Sequence, residues 1–221
     1  MMKNNGVKIF VIGVLLVALS LKLDSPWEYG FHVIKEGGIW ENGKIILLEY
    51  LIGKNMQIDI FFEPLGYLLM FLGAGMLHPT SKFLHNVKVF SVVAAFAYIG
   101  KIGLPFVMAQ QTVFVWVIAC IVLEFAAMLI CMYSFMLACK KQVDNYKYME
   151  LGKDLTFAVE LYGFAVAFGL VAGILVVCQF FFAKIIYGII TVFTVFAAMY
   201  YVWKVLYYTK QLNLFTGSEE E

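Results

Sequence analysis

Residues 112–139 form an apolar run in which Glu124 is the only charged residue. A membrane-spanning helix needs about 20 mostly apolar residues, so this run is long enough to cross a bilayer. Hydrophobic residues make up 63% of the chain and charged residues 14%, whereas soluble proteins average roughly 45–50% and 25%. The sequence predicts an all-α, polytopic membrane helix bundle that forms a single transmembrane domain over residues 1–221. The six predicted spans are residues 9–23, 58–77, 84–108, 112–139, 155–182 and 185–208.

The first run has a second interpretation, because a charged start before an apolar middle also resembles a signal peptide. Lys3 and Lys8 precede the run, and Ala18-Leu19-Ser20 is the nearest approach to a cleavage site. That triplet departs from the A-x-A pattern, and the rest of the chain is itself hydrophobic. An uncleaved first span is therefore favoured over a cleaved leader.

Two polar connections are predicted to lie on opposite sides of the membrane. Residues 24–57 form an extracellular segment, and their apolar run 45–52 is too short to cross and predicts a short interfacial helix. Residues 140–154 form a charged cytoplasmic connector. With the N-terminus inside, ten lysines lie on the cytoplasmic side, five lie outside and Lys101 lies within a span. Since cytoplasmic loops carry the excess of basic residues, both termini are predicted to be cytoplasmic.

Several functional classes are disfavoured by what the sequence lacks. All sixteen basic residues are lysines, the net charge is +1 and there is no basic run, so we expect no nucleic-acid partner. The four cysteines form no C-x-x-C pair and have no neighbouring histidine, which disfavours a metal site and a disulfide framework. There is no nucleophile–base pair with catalytic spacing, so we expect no catalytic residues and no cofactor, and an enzyme is disfavoured.

Ionisable residues inside spans are costly to bury, and they are functional candidates by default. Glu63 is followed by Pro64, which predicts that the second helix starts near Ile58 and is kinked or broken around Glu63. Pro105 and two nearby glycines interrupt the outer third of the third span in the same way. Non-helical backbone at membrane depth is tolerated where it is buried in protein or lines a water-filled cavity. The two breaks together predict a small cavity that opens outward between spans two, three and four.

The predicted ligand-binding residues of this cavity are Asp59, Glu63, Tyr67, Lys101 and Glu124. Glu63 lies about five residues into its span and Lys101 about seven residues before the end of its own, so at roughly 1.5 Å per residue the two reach similar depths. Glu124 lies deeper, near mid-membrane, within reach of the lysine side chain. The other interpretations are that Lys101 extends to the lipid headgroups, that Asp59 and Glu63 are interfacial, and that Glu124 is a protonated acid bonded to a neighbouring helix.

Residues 58–70, IDIFFEPLGYLLM, resemble the motif I-D-I-L-P-D-F-I-G-Y-I-L of an uncharacterised family of small multi-spanning membrane proteins of Gram-positive bacteria. Asp59, Glu63 and the Gly-Tyr pair match in register, and residues 81–83 follow the same pattern. The family's proline precedes the second acid, whereas Pro64 follows it. The resemblance implies a multi-pass protein of the plasma membrane, here the bacterial cytoplasmic membrane, and carries no known activity. The hexapeptide FEPLGY also has a weaker likeness to the second span of VanZ-like membrane proteins, whose further polar and basic motifs are missing here.

We expect a helix bundle, surrounded by the lipid bilayer, that binds or transports a small solute or ion through the outward-facing cavity. The alternative is a non-enzymatic accessory or regulatory subunit of a membrane complex, which the uniformly apolar helix faces and the lack of a catalytic signature favour. Gly169 and Gly173 form a G-x-x-x-G pattern, which permits close helix approach. Packing within the chain is favoured for this pattern over a helix-mediated oligomer or contact with a membrane partner protein.

Overall fold

The computed structural model describes residues 5–19, 22–28, 44–45, 48, 52, 55–59, 63–77, 81–107, 110–142, 145–177 and 182–212. Six helices of 13 or more residues and two strands occur within these residues. In chain order they are α1 (Asn5–Ala18), β1 (Lys22–Glu28), β2 (Asn55–Asp59), α2 (Glu63–Gly75), α3 (Lys82–Val107), α4 (Gln110–Lys140), α5 (Asn145–Val177) and α6 (Ala183–Gln211). Residues 44, 45, 48 and 52 are also helical and fall in the predicted short helix.

Three of the helices are long and apolar enough to cross a membrane. Within the described part of the chain, these are Lys82–Val107, Thr112–Lys140 and Ile185–Gln211. Large apolar side chains are turned outward from the bundle, with exposed fractions of 69% for Phe96 and 63% for Phe196. Apolar surface of this kind is stable against lipid and unfavourable in water. The helices therefore have the outer faces of a membrane protein.

The fold is helical as predicted, but the predicted first and second spans include residues 22–23 and 58–59, which lie in strands. Helix α1 ends at Ala18, and β1 and β2 form an antiparallel ribbon in which Lys22 pairs with Asp59 and Leu23 with Ile58. The sequence N-M-Q-I-D of β2 alternates polar and apolar residues, which is the period of a strand rather than a helix. The ladder is irregular between Asp24 and Glu28, where a proline without an N–H interrupts the strand.

The kink predicted around Glu63 was also wrong, because helix α2 begins at that residue. Pro64 occupies the first turn, where a missing N–H removes no intrahelical hydrogen bond and the fixed φ angle suits a helix start. The carboxylate of Glu63 lies at the positive end of the helix dipole. The proline therefore sets the helix start, and α2 has 13 residues. At 1.5 Å per residue its length is about 20 Å, shorter than the hydrocarbon core of a bilayer.

The predicted break at Pro105 does not occur, since α3 continues as a helix to Val107. Pro105 has no N–H to donate to the carbonyl of Lys101, which lies four residues earlier. With only two further helical residues after Pro105, the helix is near its end and tolerates this loss. The proline therefore affects the hydrogen bonding of the Lys101 carbonyl rather than the path of the chain.

The predicted connector 140–154 is mostly helical, because α5 begins at Asn145. Its first turns, N-Y-K-Y-M-E-L, contain strong helix formers, so the helix extends beyond the apolar run that defined the predicted span. At the other end α5 reaches Val177, and α6 begins at Ala183. Residues 183–184, predicted as a turn, belong to the first turn of α6.

Helices α1 and α2 pack at very short distance through glycines. A Cβ atom at Gly13 would lie 2.5 Å from the carbonyl oxygen of Gly66, and one at Gly73 would lie 2.5 Å from the backbone nitrogen of Phe10. These pairings run in opposite chain directions, so the two helices are antiparallel. Each helix has its close-contact glycines seven residues apart, which places them on one face.

Helix α4 lies at the centre of the bundle. Phe135 stacks on Phe10 of α1 with ring centroids 4.0 Å apart, and the hydroxyl of Tyr201 in α6 donates to the carbonyl of Met132 at 2.9 Å. Helix α5 packs on α6, where a Cβ at Gly169 would meet Ile190 at 3.7 Å, an ordinary contact. This contact supports packing within the chain at Gly169. The surroundings of Gly173 lie outside the described part of the structure.

Candidate functional site

Three helices bring ionisable side chains together near the ribbon end of the bundle. Glu63 is the first residue of α2, and Tyr67 follows one turn later on the same face. Lys101 lies six residues before the end of α3, and Glu124 lies in α4. Because α3 and α4 are antiparallel, residues near the end of one face residues in the first half of the other. The Glu63–Lys101–Glu124 cluster, with Tyr67, therefore combines four of the five predicted ligand-binding residues.

The ammonium of Lys101 links the two acids. Its Nζ lies 2.6 Å from Oε2 of Glu124 and 3.6 Å from Oε2 of Glu63. The hydroxyl of Tyr67 donates to Oε1 of Glu124 at 2.9 Å. Oε2 of Glu124 thus accepts a charge-assisted hydrogen bond from Lys101, and Oε1 accepts a hydrogen bond from a neutral hydroxyl. The two bonds hold the carboxyl group in one orientation.

Two further tyrosines surround the cluster and were not predicted. The Nζ atom of Lys101 lies 4.5 Å from the centroid of the Tyr98 ring, within the range of a cation–π interaction. Tyr162 of α5 is buried and close enough to interact electrostatically with Glu124 and Glu63. Tyr98 could have been found, because it precedes Lys101 by three residues and shares its face of the helix. Tyr162 lies in an apolar run, where a tyrosine gives no distinguishing signal.

All three charged side chains are withdrawn from the protein surface. The exposed fractions are 5% for Glu63, 8% for Lys101 and 5% for Glu124. Burial of an ion costs several kcal/mol even after relaxation, so such groups persist only with partners of opposite charge or hydrogen bonds. The burial and pairing of Lys101 contradict its alternative interpretation as a lysine that extends to the headgroups. Those of Glu63 contradict its interpretation as a plain interfacial acid.

The cluster lies well inside the ends of the long helices. Lys101 is six residues from the end of α3, which corresponds to about 9 Å, and Glu124 is fourteen residues from the start of α4, which corresponds to about 21 Å. Leu48 and Ile52 of the short helical run pack on Val113, Val117 and Ile121, the part of α4 between its start and Glu124. The predicted extracellular segment therefore contacts α4 on the ribbon side of the site.

The remaining acidic candidates are Asp59 and Glu160. Asp59 is in β2, where its backbone pairs with Lys22, and its side chain lies outside the described part of the structure. Glu160, the other acid of the fifth predicted span, is exposed on α5. The ligand-binding role of the five residues stays a prediction, whereas the contacts among four of them are structural observations.

The chemistry available at the cluster is that of charge and hydrogen bonding. Within the described residues, no group of three histidine, cysteine or acidic side chains lies close enough to hold a metal ion. Cys120 lies one turn before Glu124 and is partly exposed, while Cys131 and Cys139 are buried thiols. Cys178 lies outside the described residues. The carboxyl groups can bind positive charge, and the ammonium and the tyrosine hydroxyls can bind negative or polar groups.

A second ionic contact occurs at the opposite end of the bundle. Lys204 of α6 donates to Oδ2 of Asp154 in α5, and the hydroxyl of Tyr208 donates to the same oxygen at 2.9 Å. The hydrogen bond from Lys204 is the main reason that the pKa of Asp154 lies below its ordinary value, although partial burial opposes this effect. This contact joins the predicted cytoplasmic ends of α5 and α6.

The chain matches no protein-family model, no curated protein and no solved structure. The resemblance of residues 58–83 to a bacterial membrane protein family and the weaker VanZ-like likeness therefore stay predictions. The functional assignment consequently depends on the residues of the site themselves.

Proposed function

We propose that this chain is a multi-pass protein of the plasma membrane that binds or transports a small solute or ion at the Glu63–Lys101–Glu124 cluster. In this proposal the six helices each cross the bilayer and both termini are cytoplasmic. The solute enters from the extracellular side, at the end of the bundle where the ribbon lies.

The alternating directions of the packed helices support six crossings. Three helices have the length and composition of spans, and α5 has 33 residues with an apolar C-terminal half. Helices α1 and α2 are shorter, at 14 and 13 residues, and a bilayer accommodates short helices by local thinning at a modest cost per ångström. Lysines are in excess on one side of the bundle, where α1, α3 and α5 start and α2, α4 and α6 end. This excess supports a cytoplasmic location for that side.

The observation that carries the functional proposal is the burial of two acids and a lysine from three different helices at one point. A buried ion pair contributes little net stability, since well-packed apolar residues often replace such a pair without loss. Ionisable groups at membrane depth therefore mark solute or ion pathways by default. The start of α2 at the same level adds backbone N–H groups that no helix bond satisfies, which is a feature of transporter binding sites.

A thermal-stability screen of the purified protein in detergent tests this proposal. A solute that binds only the folded state raises its stability by about 2.7 kcal/mol at a concentration of 100 times Kd. The panel contains sodium, potassium, small amines, amino acids and carboxylic acids. We expect at least one solute to raise the unfolding temperature of the wild type and of Glu160→Gln, and to lose this effect in Glu124→Gln.

A panel in which no solute changes the unfolding temperature would contradict the proposal. A solute effect that persists unchanged in Glu124→Gln would place its binding elsewhere. If no solute binds and a second membrane protein co-purifies in a fixed ratio, the alternative of an accessory or regulatory subunit would replace the proposal.

A further inference from the structure

We propose that Gly13 of α1 and Gly66 of α2 are positioning residues of the solute site. Their contact fixes the place from which Tyr67 donates its hydrogen bond to Glu124, and both glycines act through the backbone of α2. This role rests on the proposed function, since it serves the same cluster.

The contact between Gly13 and Gly66 is limited by backbone atoms. A Cβ atom at Gly13 would lie 2.5 Å from the carbonyl oxygen of Gly66 and 2.8 Å from the backbone nitrogen of Met70. A Cβ atom at Gly66 would lie 2.8 Å from the carbonyl oxygen of Gly13 and 3.2 Å from the backbone nitrogen of Val17. Helix backbone has no rotamers through which to give way, so a side chain at either position forces the two helices apart. Helix α1 therefore sets the distance at which α2 lies.

Tyr67 follows Gly66 directly in the chain and reaches from α2 to α4. Its hydroxyl donates to Oε1 of Glu124 at 2.9 Å, and the residue is buried. Glu63, the first residue of α2, precedes Gly66 by three residues, or about 4.5 Å along the axis. A hydrogen-bonded helix moves as a unit over such a short distance, so a displacement at Gly66 is passed on to Tyr67. The position of the Tyr67 hydroxyl therefore depends on the contact of Gly66 with α1.

The size of this displacement decides whether the hydrogen bond survives. Ordinary van der Waals contact of a Cβ atom begins at 3.4 Å, whereas a Cβ at Gly66 would lie 2.8 Å from the Gly13 oxygen. With an alanine at this position the helices must separate by about 0.6 Å, the difference between these two distances. An O–H···O hydrogen bond has a normal length of about 2.5–3.0 Å. A displacement as large as this whole range lengthens or misaligns the bond from Tyr67 to Glu124.

A second contact of the same kind, toward the other end of α2, supplies a matched comparison. A Cβ at Gly73 would lie 2.6 Å from the carbonyl oxygen of Gly6, and one at Gly6 would lie 2.9 Å from that of Gly73. Gly73 is six residues after Tyr67, about 9 Å along the axis and on the side away from Glu63. An alanine at Gly73 therefore meets the backbone of α1 at least as closely as one at Gly66. The two contacts share their kind of packing and differ in their distance from the cluster.

A double-mutant cycle in the full-length protein tests this role and needs no solute. Thermal unfolding in detergent is measured for Tyr67→Phe in the wild type and in each of four alanine variants, Gly13→Ala, Gly66→Ala, Gly6→Ala and Gly73→Ala. In the wild type we expect Tyr67→Phe to lower Tm by about 3–12 °C, through loss of a hydrogen bond to a charged acceptor. Substitutions at independent sites have additive effects, whereas those at coupled sites do not.

In Gly13→Ala and Gly66→Ala we expect Tyr67→Phe to lower Tm by less than about half as much as in the wild type, because the hydrogen bond is already weakened or lost. In Gly6→Ala and Gly73→Ala we expect the full decrease. Gly13→Ala is the stricter test, since it leaves the sequence of α2 around Tyr67 unchanged. A role in packing alone would lower Tm in all four alanine variants and leave the effect of Tyr67→Phe the same in each.

A full decrease in Gly13→Ala overturns the positioning role, as does a decrease that is reduced equally in Gly6→Ala. A wild type in which Tyr67→Phe has no effect overturns it too, since no bond is then positioned. Far-UV circular dichroism that matches the wild type establishes that each variant is folded. Where only one of Gly13→Ala and Gly66→Ala folds, that variant decides. If neither folds, the contact is needed for the fold itself and the role is overturned.

Failure of this role is distinguishable from failure of the proposed function. A solute that stabilises the wild type, together with a full decrease in Gly13→Ala, overturns the positioning role and leaves the solute site in place. A reduced decrease in Gly13→Ala, together with a panel in which no solute has an effect, supports the positioning of Tyr67 and overturns solute binding.

Discussion

Replacement of Lys101 by methionine is the perturbation to which the cluster should be most sensitive. The side chains have similar length and apolar stems, so Lys101→Met removes the ammonium with little change in packing. It leaves two buried carboxyl groups without the cation that lies 2.6 Å from one and 3.6 Å from the other. Removal of one partner from a buried ion pair typically costs about 3–5 kcal/mol.

This magnitude can be measured by thermal unfolding in detergent, followed by tryptophan fluorescence. For a chain of 221 residues, each kcal/mol corresponds to about 2–4 °C in Tm, so we expect a decrease of roughly 6–20 °C. Lys88→Met is the matched control, because Lys88 lies on the same helix in a partly exposed position. A surface substitution of this kind usually changes stability by less than about 0.5 kcal/mol.

Acidification should reduce the difference between Lys101→Met and the wild type. The variant keeps both acids without the cation that lies beside them, so protonation at a lower pH relieves a larger repulsion in the variant than in the wild type. Equal unfolding temperatures for Lys101→Met and Lys88→Met at neutral pH would refute the assignment of Lys101 as the counter-ion. A difference that is unchanged by pH would refute an electrostatic role of the Lys101 ammonium.

Three further tests, two of them with a control substitution beside them, probe the packing, the site and the opposite end of the bundle. Gly73→Ala should cost about 1–3 kcal/mol through overpacking against α1, whereas Gly103→Ala, with nothing within 4 Å, should stabilise its helix by up to about 1 kcal/mol. Tyr67→Phe should cost about 1.5–3 kcal/mol through loss of a hydrogen bond to a charged acceptor, and Tyr133→Phe, 48% exposed, should change little. The pKa of Asp154 is lowered in the folded protein, so its contact stabilises the fold at pH values above the pKa that this residue has in the unfolded chain. This stabilisation is lost as the pH falls through the pKa of the folded state. Asp154→Asn should therefore flatten the acidic limb of the profile of stability against pH.

Each of these expectations has a result that would contradict it. Equal effects of the two alanine substitutions would show that α1 and α2 separate without cost. Equal effects of Tyr67→Phe and Tyr133→Phe would contradict the hydrogen bond from the Tyr67 hydroxyl to Glu124. For the acidic limb the control is Glu150→Gln, an exposed acid on the same helix, which should keep the wild-type profile. An identical profile for Asp154→Asn would refute the contribution of its contact with α6.

The positions of the long helices could be predicted from sequence because lipid imposes a minimum apolar length. The predicted runs 84–108, 112–139 and 185–208 differ from the observed helices by at most three residues at each end. The meeting of Glu63, Lys101 and Glu124 could be predicted as well, since the rise per residue fixes the depth of each side chain in its helix.

The features that sequence analysis missed depend on partners that are distant in the chain. Residue 22 and residue 59 pair across a long intervening segment, and the alternation in each strand is too short to predict the ribbon. Pro64 follows an acid in a sequence compatible with either a kink or a helix start, and the contacts of α2 with α1 select the start. The close contact between Gly13 and Gly66 depends on how α1 and α2 pack, which the sequence of neither helix predicts by itself.

Reactivity of Cys120 from the extracellular side would test the central claim most directly. This partly exposed thiol lies one turn from Glu124, and its Sγ is 3.0 Å from where a Cβ at Gly100 would lie. A small, membrane-impermeant methanethiosulfonate added to intact cells should modify the wild type and leave Cys120→Ala unmodified at this position. A Glu124→Gln variant should keep the reactivity, since access and charge are separate properties. A thiol that reacts only in inside-out vesicles, or in neither orientation, would contradict a solute site that is reached from outside.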